Sequence, residues 1–391
     1  MKKYILFILS ILVIASCGNP SKKNKPAPEP VDPIEEKLQA MSLREKVGQL
    51  FLVRPEAYDV TIHWEDNDEL AAYQVQGTNA RMRAANEKYP AGGIILFAHN
   101  IQNPAQLQAF LDTLRTFKGD PLFYIDEEGG RVARIANNPA FPVQKYRSMD
   151  AIGKTGDPSQ AYQCGNTIGK YLREYGFDVD LAPVADVNTN PANPVIGTRA
   201  FSSDPSKASK MVVQYIKGLR DAGVAACVKH FPGHGDTKAD THFGYAQTLK
   251  TWEEMLDCEL VTFRAAIAAG VPLIMTAHIA APSVTGSSIP STLSEVMLTE
   301  KLRKELGYKN VIITDGMAMG AITRHYKSGE AAIKSLQAGA DIILGPKNYP
   351  EAFDAVMNAV VKDSTLTEAR IDESVRRVLA LKQEISRLRS K

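Results

Sequence analysis

Eight short apolar runs recur along the chain, and longer stretches with helical periodicity lie between them. A strand that is apolar on both faces belongs in a parallel sheet covered by helices. Eight strand–helix units within a chain of 391 residues match an α/β fold of the (β/α)8 or TIM-barrel type. The runs are QLFLV (49–53), GIILF (93–97), LFYID (122–126), DLAPV (180–184), ACVKH (226–230), LIMTA (273–277), VIITD (311–315) and DIILG (341–345).

An open, doubly wound parallel sheet is the alternative architecture for this rhythm. Such a sheet normally carries a glycine-rich fingerprint directly after its first strand, and QLFLVRPEAY at 49–58 has none. The barrel is therefore the favoured prediction, as a single catalytic domain over residues 37–391. The C-terminal stretch at 367–389 is predicted to form one long amphipathic helix, which we interpret as the last barrel helix.

The N-terminus has the pattern of an exported protein. Lys2 and Lys3 precede an apolar run that is too short to act as a stop-transfer helix, and Ser16 and Cys17 follow it. This pattern resembles the lipobox of bacterial lipoproteins, which implies removal of residues 1–16 and lipidation of the Cys17 thiol. An ordinary signal peptide or a single-anchor helix is the alternative.

A flexible tether is predicted at residues 17–36, which are rich in Pro, Lys, Asn and Ser and lack apolar periodicity. The expected location is a bacterial membrane, with the lipid anchor in the outer membrane and the domain facing the periplasm or the cell surface. Removal of Lys2 and Lys3 lowers the formal net charge from +2 to zero. A neutral chain does not predict a nucleic-acid partner.

Polar side chains collect at the carboxyl ends of the predicted strands, where the active sites of such barrels lie. A charged residue at the end of an apolar strand is costly to bury without a partner. Several of them converging on one face therefore favour a functional site over isolated structural ion pairs. They are Asp126 in the third run, Asp186 and Arg199 after the fourth, Lys229 and His230 in the fifth, His278 after the sixth and Asp315 in the seventh.

The stretch KHFPGHGDTKADTH at 229–242 combines residues that bind metals, bind phosphate or move protons. His230 and His234 have the spacing of a zinc-binding helix, but Pro232 and Gly233 lie between them and would break that helix. The glycines also lack the spacing of a P-loop. We therefore expect neither a metal ion nor another cofactor.

Proton transfer is the best-supported chemistry for this stretch. Asp240 and His242 are separated by one residue, and a carboxylate beside an imidazole orients it and raises its pKa, as a general acid and base requires. Asp315 is a separate carboxylate that could act as a nucleophile. Cleavage of a glycosidic bond with retention needs these two roles on opposite sides of the bond.

Four motifs make the chain resemble glycoside hydrolase family 3, and in particular its β-N-acetylglucosaminidase branch. They are KHFPGHGDTKADTH (229–242), IDEEGGRVARI (125–135), NPVIGTRAFSSDP (193–205) and VIITDGMAMGAI (311–322). The resemblance implies that Asp315 is the nucleophile and that Asp240 and His242 form the acid/base dyad. The sugar-binding positions that it implies are Asp126, Arg134, Arg199, Lys229 and His230.

Two departures from the family pattern matter. The dyad reads Asp-Thr-His where the branch often has Asp-Ser-His, and we do not expect the second α/β domain that supplies an acid glutamate in many members. That absence fits an acid supplied by the barrel itself, here His242. His234 also matches the motif and is assigned a structural role. The polar segment at 58–88 is longer than a crossover needs, and it either shapes the aglycone side or covers the barrel.

The predicted function is a retaining exo-β-N-acetylhexosaminidase. The resemblance implies a terminal GlcNAc on peptidoglycan fragments (muropeptides) or related glycans as the substrate. A β-glucosidase of the same family would need the glutamate of a second domain. A phosphorylase is the closer alternative, because a histidine acid repels phosphate less than a glutamate does. A sugar-binding lipoprotein without activity is not expected, because Asp315 and the dyad are both present.

Overall fold

The computed structural model describes residues 32–59, 74–239 and 246–390. Eight strands in this part of the chain form one parallel sheet, and each of the eight overlaps one of the apolar runs. The strands are β1 (Phe51–Val53), β2 (Gly93–Leu96), β3 (Leu122–Ile125), β4 (Val179–Asp180), β5 (Ala225–Phe231), β6 (Leu273–Thr276), β7 (Val311–Ile313) and β8 (Ile343–Leu344).

The sheet closes into a barrel. Neighbouring strands pair in parallel and in chain order from β1 to β7, and β8 pairs with β1 through Ile343 and Phe51. A bridge between Ile313 and Ile342 joins β7 to the start of β8. The predicted (β/α)8 barrel is therefore confirmed, and the open doubly wound sheet is excluded.

Helices connect the strands and cover the outside of the barrel. Several begin with an Asn or Asp cap before a proline, as at Asn103, Asp157 and Asp204, whose side chains accept a backbone N–H of the first turn. This local sequence ends the loop and starts the helix. The helices are α1 (Pro33–Ala40), α2 (Leu43–Gln49), α3 (Ala80–Lys88), α4 (Pro104–Leu114), α5 (Met149–Gly153), α6 (Pro158–Glu174), α7 (Pro205–Asp221), α8 (Trp252–Asp257), α9 (Glu259–Ala268), α10 (Pro282–Thr285), α11 (Gly320–Thr323), α12 (Ser328–Ala338), α13 (Tyr349–Val361) and α14 (Glu368–Arg389), with a π-helix at Val296–Glu305.

Alternate residues of each strand point into the barrel or out toward the helices. In β3, Tyr124 belongs to the interior cluster, whereas Phe123 and Ile125 belong to the cluster shared with the helices. Burial on both sides explains why the runs are apolar without alternation. The interior layer includes Leu52, Ile95, Tyr124, Leu181, Cys227, Met275, Ile313 and Leu344.

The predicted C-terminal helix is present as one long element, α14, but it is not the last outer helix of the barrel. Helix α13 follows β8 and has that position, and α14 comes after it. Val378, Leu381 and Ile385 of α14 pack against the interior residues of the strands. Helix α14 therefore covers the amino-terminal end of the barrel.

Helix α1 brings residues 33–36 into the folded domain, although the sequence pattern assigned them to the tether. Asp32 caps α1 through its side chain, and Glu35 pairs with Arg376 of α14. The remainder of the predicted tether, the signal segment and Cys17 lie outside the described residues. Where the chain is described, no helix combines the length and the apolar character needed to cross a membrane.

A buried ion cluster holds the amino-terminal ends of β7 and β8 against α14. Asp341 is fully buried and accepts the Ile312 N–H at 2.9 Å. It pairs with Arg303 and with Arg377, whose Nη1 lies 2.9 Å from Asp341 Oδ1. Ser374 donates its hydroxyl to the same carboxylate at 2.6 Å. One carboxylate thus ties two strands to the helix that covers them.

Replacement of Asp341 by alanine should destabilise the barrel strongly. It leaves Arg303 and Arg377 without their buried partner, and breaking a buried pair in this way costs about 3–5 kcal/mol. Glu373→Ala is the matched control, because it removes an exposed carboxylate that pairs with the same Arg377 and should cost about 1 kcal/mol or less. Urea denaturation at neutral pH measures both losses. Equal losses would contradict the importance of burial at Asp341.

Candidate active site

Buried charges converge at the carboxyl ends of β3 and β5, as the sequence predicts. Lys229 lies in β5, and its side chain is only 3% exposed. Its Nζ is 2.7 Å from Asp126 Oδ1 and 2.7 Å from Glu128 Oε1. One ammonium group therefore bridges two carboxylates that follow β3.

The pKa of Asp126 is lower than its ordinary value, and the pKa of Lys229 is higher than its ordinary value. Burial by itself would raise the pKa of Asp126, but Lys229 and Arg134 outweigh it and lower that pKa to about 2. Burial would lower the pKa of Lys229, but Asp126 and Glu128 outweigh it and raise that pKa above its usual value. Both groups therefore stay charged at neutral pH, and the Asp126 carboxylate only accepts hydrogen bonds.

Arg199 extends this network from the loop after β4. Its Nη2 and Nε donate to the two oxygens of Glu128 at 2.6 and 2.8 Å, which is a bidentate pairing. The same Nη2 lies 3.4 Å from His230 Nε2. The sequence pattern did not single out Glu128 as a site residue. Glu128 could have been found from the sequence, because a buried lysine such as Lys229 needs carboxylate partners.

Asp186 orients His230. Its Oδ2 lies 2.8 Å from His230 Nδ1, and its Oδ1 accepts the backbone N–H of His234 at 2.6 Å. The Nδ1 proton of His230 therefore faces Asp186, and Nε2 faces Arg199. Burial lowers the pKa of His234, whose Nδ1 lies 2.6 Å from Thr237 Oγ1. These contacts give His234 a structural position.

Glu127 holds the loop that carries Arg134. Its buried carboxylate accepts the backbone N–H groups of residues 134–136 and the hydroxyl of Tyr171. Burial raises the pKa of Glu127, although these four donors favour the charged form. Arg134 Nη2 in turn lies 3.4 Å from Asp126 Oδ2. Glu127 therefore positions Arg134 and does not itself face the network of Lys229.

Asp315 lies just beyond β7, at the same end of the barrel. Its backbone N–H donates to Thr276 O at 3.1 Å, and its Oδ1 accepts the Gly316 N–H at 2.7 Å. In the described part of the chain, Asp315 Oδ2 has no hydrogen-bond partner. His278 Nε2 lies 3.0 Å from the Gly316 carbonyl, and burial lowers the pKa of His278. A neutral imidazole thus donates to the turn that carries Asp315.

Asp240 and His242 lie outside the described residues. The chain on either side of them is described, and there Lys238–Ala239 pairs antiparallel with Ala246–Gln247. Ala246–Gln247 also pairs in parallel with Ile279–Ala280, which follows β6. The segment that carries the two residues therefore starts and ends beside the carboxyl end of β6.

The predicted sugar-binding residues are connected to one another, either directly or through Glu128, which contacts both Lys229 and Arg199. They are Asp126, Arg134, Arg199, Lys229 and His230. Fixed donors and acceptors of this kind suit a ligand with many hydroxyl groups, because each hydroxyl both donates and accepts. Within 32–59, 74–239 and 246–390, no group of three or more His, Cys, Asp and Glu side chains is arranged to hold a metal ion.

Comparisons with known proteins show what the whole chain is similar to. Residues 42–381 match the family model described as the glycosyl hydrolase family 3 N terminal domain. The chain is 35% identical over 324 residues to Beta-hexosaminidase A of Pseudoalteromonas piscicida, a match that covers 76% of this chain and 54% of that protein. It is 35% identical over 271 residues to a Beta-hexosaminidase of Thiobacillus denitrificans, covering 68% of this chain and 74% of that protein.

A solved structure shares the fold. It is a glycoside hydrolase family 3 beta-N-acetylglucosaminidase from Paenibacillus sp. str. FPU-7, with a TM-score of 0.77 and 37% sequence identity. The match covers 89% of this chain and 63% of that chain. The chain therefore spans little more than half of the Pseudoalteromonas protein and less than two thirds of the Paenibacillus structure.

Replacement of Lys229 by methionine should raise the pKa of Asp126 or Glu128. The variant removes the shared ammonium group, and two neighbouring buried carboxylates cannot both stay ionised at low cost. NMR titration of isotope-labelled carboxyl groups measures the change from the wild-type pKa of Asp126, about 2. Lys250→Met is the control, because Lys250 pairs with Glu259 outside this network. Unchanged titrations in Lys229→Met would contradict the bridging role.

Proposed function

The chain belongs to glycosyl hydrolase family 3, and from this membership we propose that it is a retaining exo-β-N-acetylhexosaminidase. The relatives named beta-hexosaminidase and the β-N-acetylglucosaminidase structure support this substrate class. The observation that carries the proposal is the position of Asp315 at the barrel end that holds the buried charge network, where its Oδ2 has no hydrogen-bond partner among the described residues. The proposed reaction releases a terminal GlcNAc through a covalent glycosyl-enzyme.

Asp315 is the proposed nucleophile. Because its Oδ1 is held by the Gly316 N–H at 2.7 Å, its Oδ2 is left to attack the anomeric carbon. The bond between this carbon and the leaving oxygen breaks as the bond to Asp315 forms, and the leaving oxygen takes a proton from the acid. Water then displaces Asp315, so that two inversions give net retention.

The buried charge network is the proposed sugar cradle, formed by Asp126, Arg134, Arg199, Lys229 and His230. Asp126 stays ionised because its pKa is about 2, so it accepts from sugar hydroxyls. Lys229 has three protons and two carboxylate partners, which leaves one donor for the sugar. These open donors and acceptors support binding of a sugar at this place.

His242 is the proposed general acid and base, oriented by Asp240. Two histidines that the structure describes support this choice, because His230 Nε2 lies 3.4 Å from Arg199 Nη2 and His278 Nε2 lies 3.0 Å from the Gly316 carbonyl. An imidazole that protonates the leaving oxygen must be free to reach it. The segment that carries His242 begins and ends beside β6.

The proposed substrate is a GlcNAc-terminated peptidoglycan fragment or a related glycan, and the proposed location is a bacterial membrane. The lipobox-like end at Cys17 supports a lipid anchor, with the domain facing the periplasm or the cell surface. Aryl glycosides of GlcNAc, GalNAc and glucose, assayed with and without phosphate, test the sugar and separate hydrolysis from phosphorolysis. Faster cleavage of the glucoside than of the GlcNAc glycoside would contradict the proposal.

Asp315→Asn should lower turnover of an aryl GlcNAc glycoside by roughly 10⁴-fold or more, because an amide is a poor nucleophile. The fold should be intact, as circular dichroism would show, since the amide oxygen keeps the contact with Gly316. In the wild type, a fluorinated GlcNAc donor that slows both steps should label Asp315, and peptide mapping identifies the site. A label on another carboxylate would overturn the assignment.

His242→Ala should slow the enzyme according to how much the leaving group needs a proton. A sugar alkoxide needs one, so hydrolysis of a GlcNAc disaccharide should fall by about 10²–10⁴-fold. A dinitrophenolate hardly needs one, so the first step with a dinitrophenyl glycoside should stay fast. The second step still lacks its base, so the glycosyl-enzyme should accumulate and stopped-flow absorbance should show a burst.

Asp240→Ala should give a milder form of the same pattern, because Asp240 orients the imidazole without transferring the proton. Asp236→Ala is the control, since it removes a carboxylate from the same connection that pairs with Lys250 and should show no burst. Equal losses of His242→Ala on both glycosides, without a burst, would assign His242 to binding or structure.

A further inference from the structure

An open cleft of about 430 Å³ lies between the starts of α12 and α13, at the carboxyl end of the barrel. The cationic side chains of Arg324, Lys327 and Lys347 line it. Within the part of the chain that the structure describes, none of the three forms an ion pair or a side-chain hydrogen bond. The cleft lies outside the network around Lys229, and the proposed mechanism does not use it.

Among the described residues that line the cleft, the negative charge does not balance the three cations. Glu351, in the first turn of α13, also lines the cleft. Its Oε1 accepts the Gly329 N–H at 3.2 Å, so this carboxylate already has a backbone partner. Because like charges repel, an anion that enters the cleft relieves the repulsion among the three cations.

The backbone adds to the positive potential. Helix α12 begins at Ser328, which lines the cleft, and Lys327 provides no side-chain cap. Helix α13 begins beside Lys347, with Asn348 as its cap. The positive ends of two helix dipoles therefore face the space that the cations line. The loops after the seventh and eighth strands are also where barrels of this class frequently bind phosphate.

The cleft is connected to the sugar cradle along the rim of the barrel. Arg134 of the cradle and Arg54 after β1 both lie over the ring of Phe97, at 5.6 and 4.5 Å from its centre. A side chain on Gly345, which follows β8, would come within 3.9 Å of Arg54 Nε, and Lys347 is two residues further along. Arg54 thus lies near Arg134 of the cradle and near the loop after β8 that leads to Lys347.

We propose that this cleft binds an anionic group, a carboxylate or a phosphate, on the aglycone of the glycan; the inference rests on the proposed function. Asp315 begins the loop after β7, and Arg324 and Lys327 end it. A glycan whose terminal sugar lies at Asp315 extends along this rim, so an anionic group further along it meets the cations. The cleft then selects substrates by the charge of the part that leaves.

The test uses two muropeptides that differ only in charge. One is a GlcNAc-terminated muropeptide with free peptide carboxylates, and the other is the same compound with these carboxylates amidated. The ratio of kcat/KM for the acid to that for the amide should exceed one in the wild type, and added sodium chloride should lower it by screening. Arg324→Gln, Lys327→Gln and Lys347→Gln should each lower the ratio about two- to fivefold.

Lys362→Gln is the matched control for Lys347→Gln. Lys362 is exposed at the far end of α13, so both variants remove one positive charge from an end of the same helix. The control should leave the ratio as it is in the wild type. An equal fall in Lys362→Gln, or no fall in any cleft variant, overturns the proposal, because the cleft would then not be the source of the preference.

Binding to the inactive Asp315→Asn variant separates this inference from the proposed function. Isothermal titration should show tighter binding of the acid than of the amide, and Lys347→Gln in the same background should reduce the difference. Hydrolysis of neither muropeptide, with the acid still bound more tightly through the cleft, would refute the activity and support the anion site. Equal affinities would overturn the anion site whatever the activity. Binding of inorganic phosphate that competes with neither muropeptide would overturn it too.

Discussion

The ammonium group of Lys229 is the interaction on which the site depends. It reaches from β5 to two carboxylates after β3, Asp126 and Glu128, at 2.7 Å from each. Removing one partner of such a buried pair costs about 3–5 kcal/mol. The segment after β3 is therefore held firmly against β5, and the contacts of Arg134 and Arg199 follow from that placement.

The pairing of Lys229 with Asp126 also fixes the charge of both groups. The pKa of Asp126 is about 2, and that of Lys229 is raised above its usual value. Asp126 and Lys229 therefore do not change their charge in the range where an imidazole titrates. A change of activity near neutral pH therefore does not arise from a change in the charge of the Asp126–Lys229 pair.

Both ends of the barrel hold buried charged side chains, but the two ends differ in how completely these side chains are paired. At the amino-terminal end, Asp341 is surrounded by arginines, the Ile312 N–H and the Ser374 hydroxyl, and α14 covers the cluster. At the carboxyl end, the buried charges are paired, but Lys229 has three N–H donors and only two carboxylate partners among the described residues. Only the second arrangement leaves hydrogen-bonding capacity for a ligand, which is why stability resides at one end and the candidate site at the other.

The barrel, the positions of its strand ends and most of the candidate site could be predicted from the sequence alone, because these depend on local patterns. An apolar run makes a buried strand, and an Asx-Pro step starts a helix, wherever they occur. The motifs that carry Lys229 and Asp315 were likewise recognisable as short stretches. The tertiary structure decided which contacts form between segments that are distant in the sequence. Asp126, Glu127 and Glu128 are adjacent carboxylates, yet Glu127 turns to the backbone of residues 134–136 and its neighbours turn to Lys229.

The same reason explains the other differences between pattern and structure. An amphipathic period shows that α14 buries one face, but not that this face closes the barrel. The composition of residues 33–36 resembles that of a tether, but Glu35 forms an ion pair with Arg376, which lies more than three hundred residues further along the chain. The cationic cleft joins loops after β7 and β8 that have no shared motif. The sequence by itself determined which residues form strands and where polar groups follow them; burial and pairing were decided by the tertiary structure, because both depend on partners that only the closed barrel brings together.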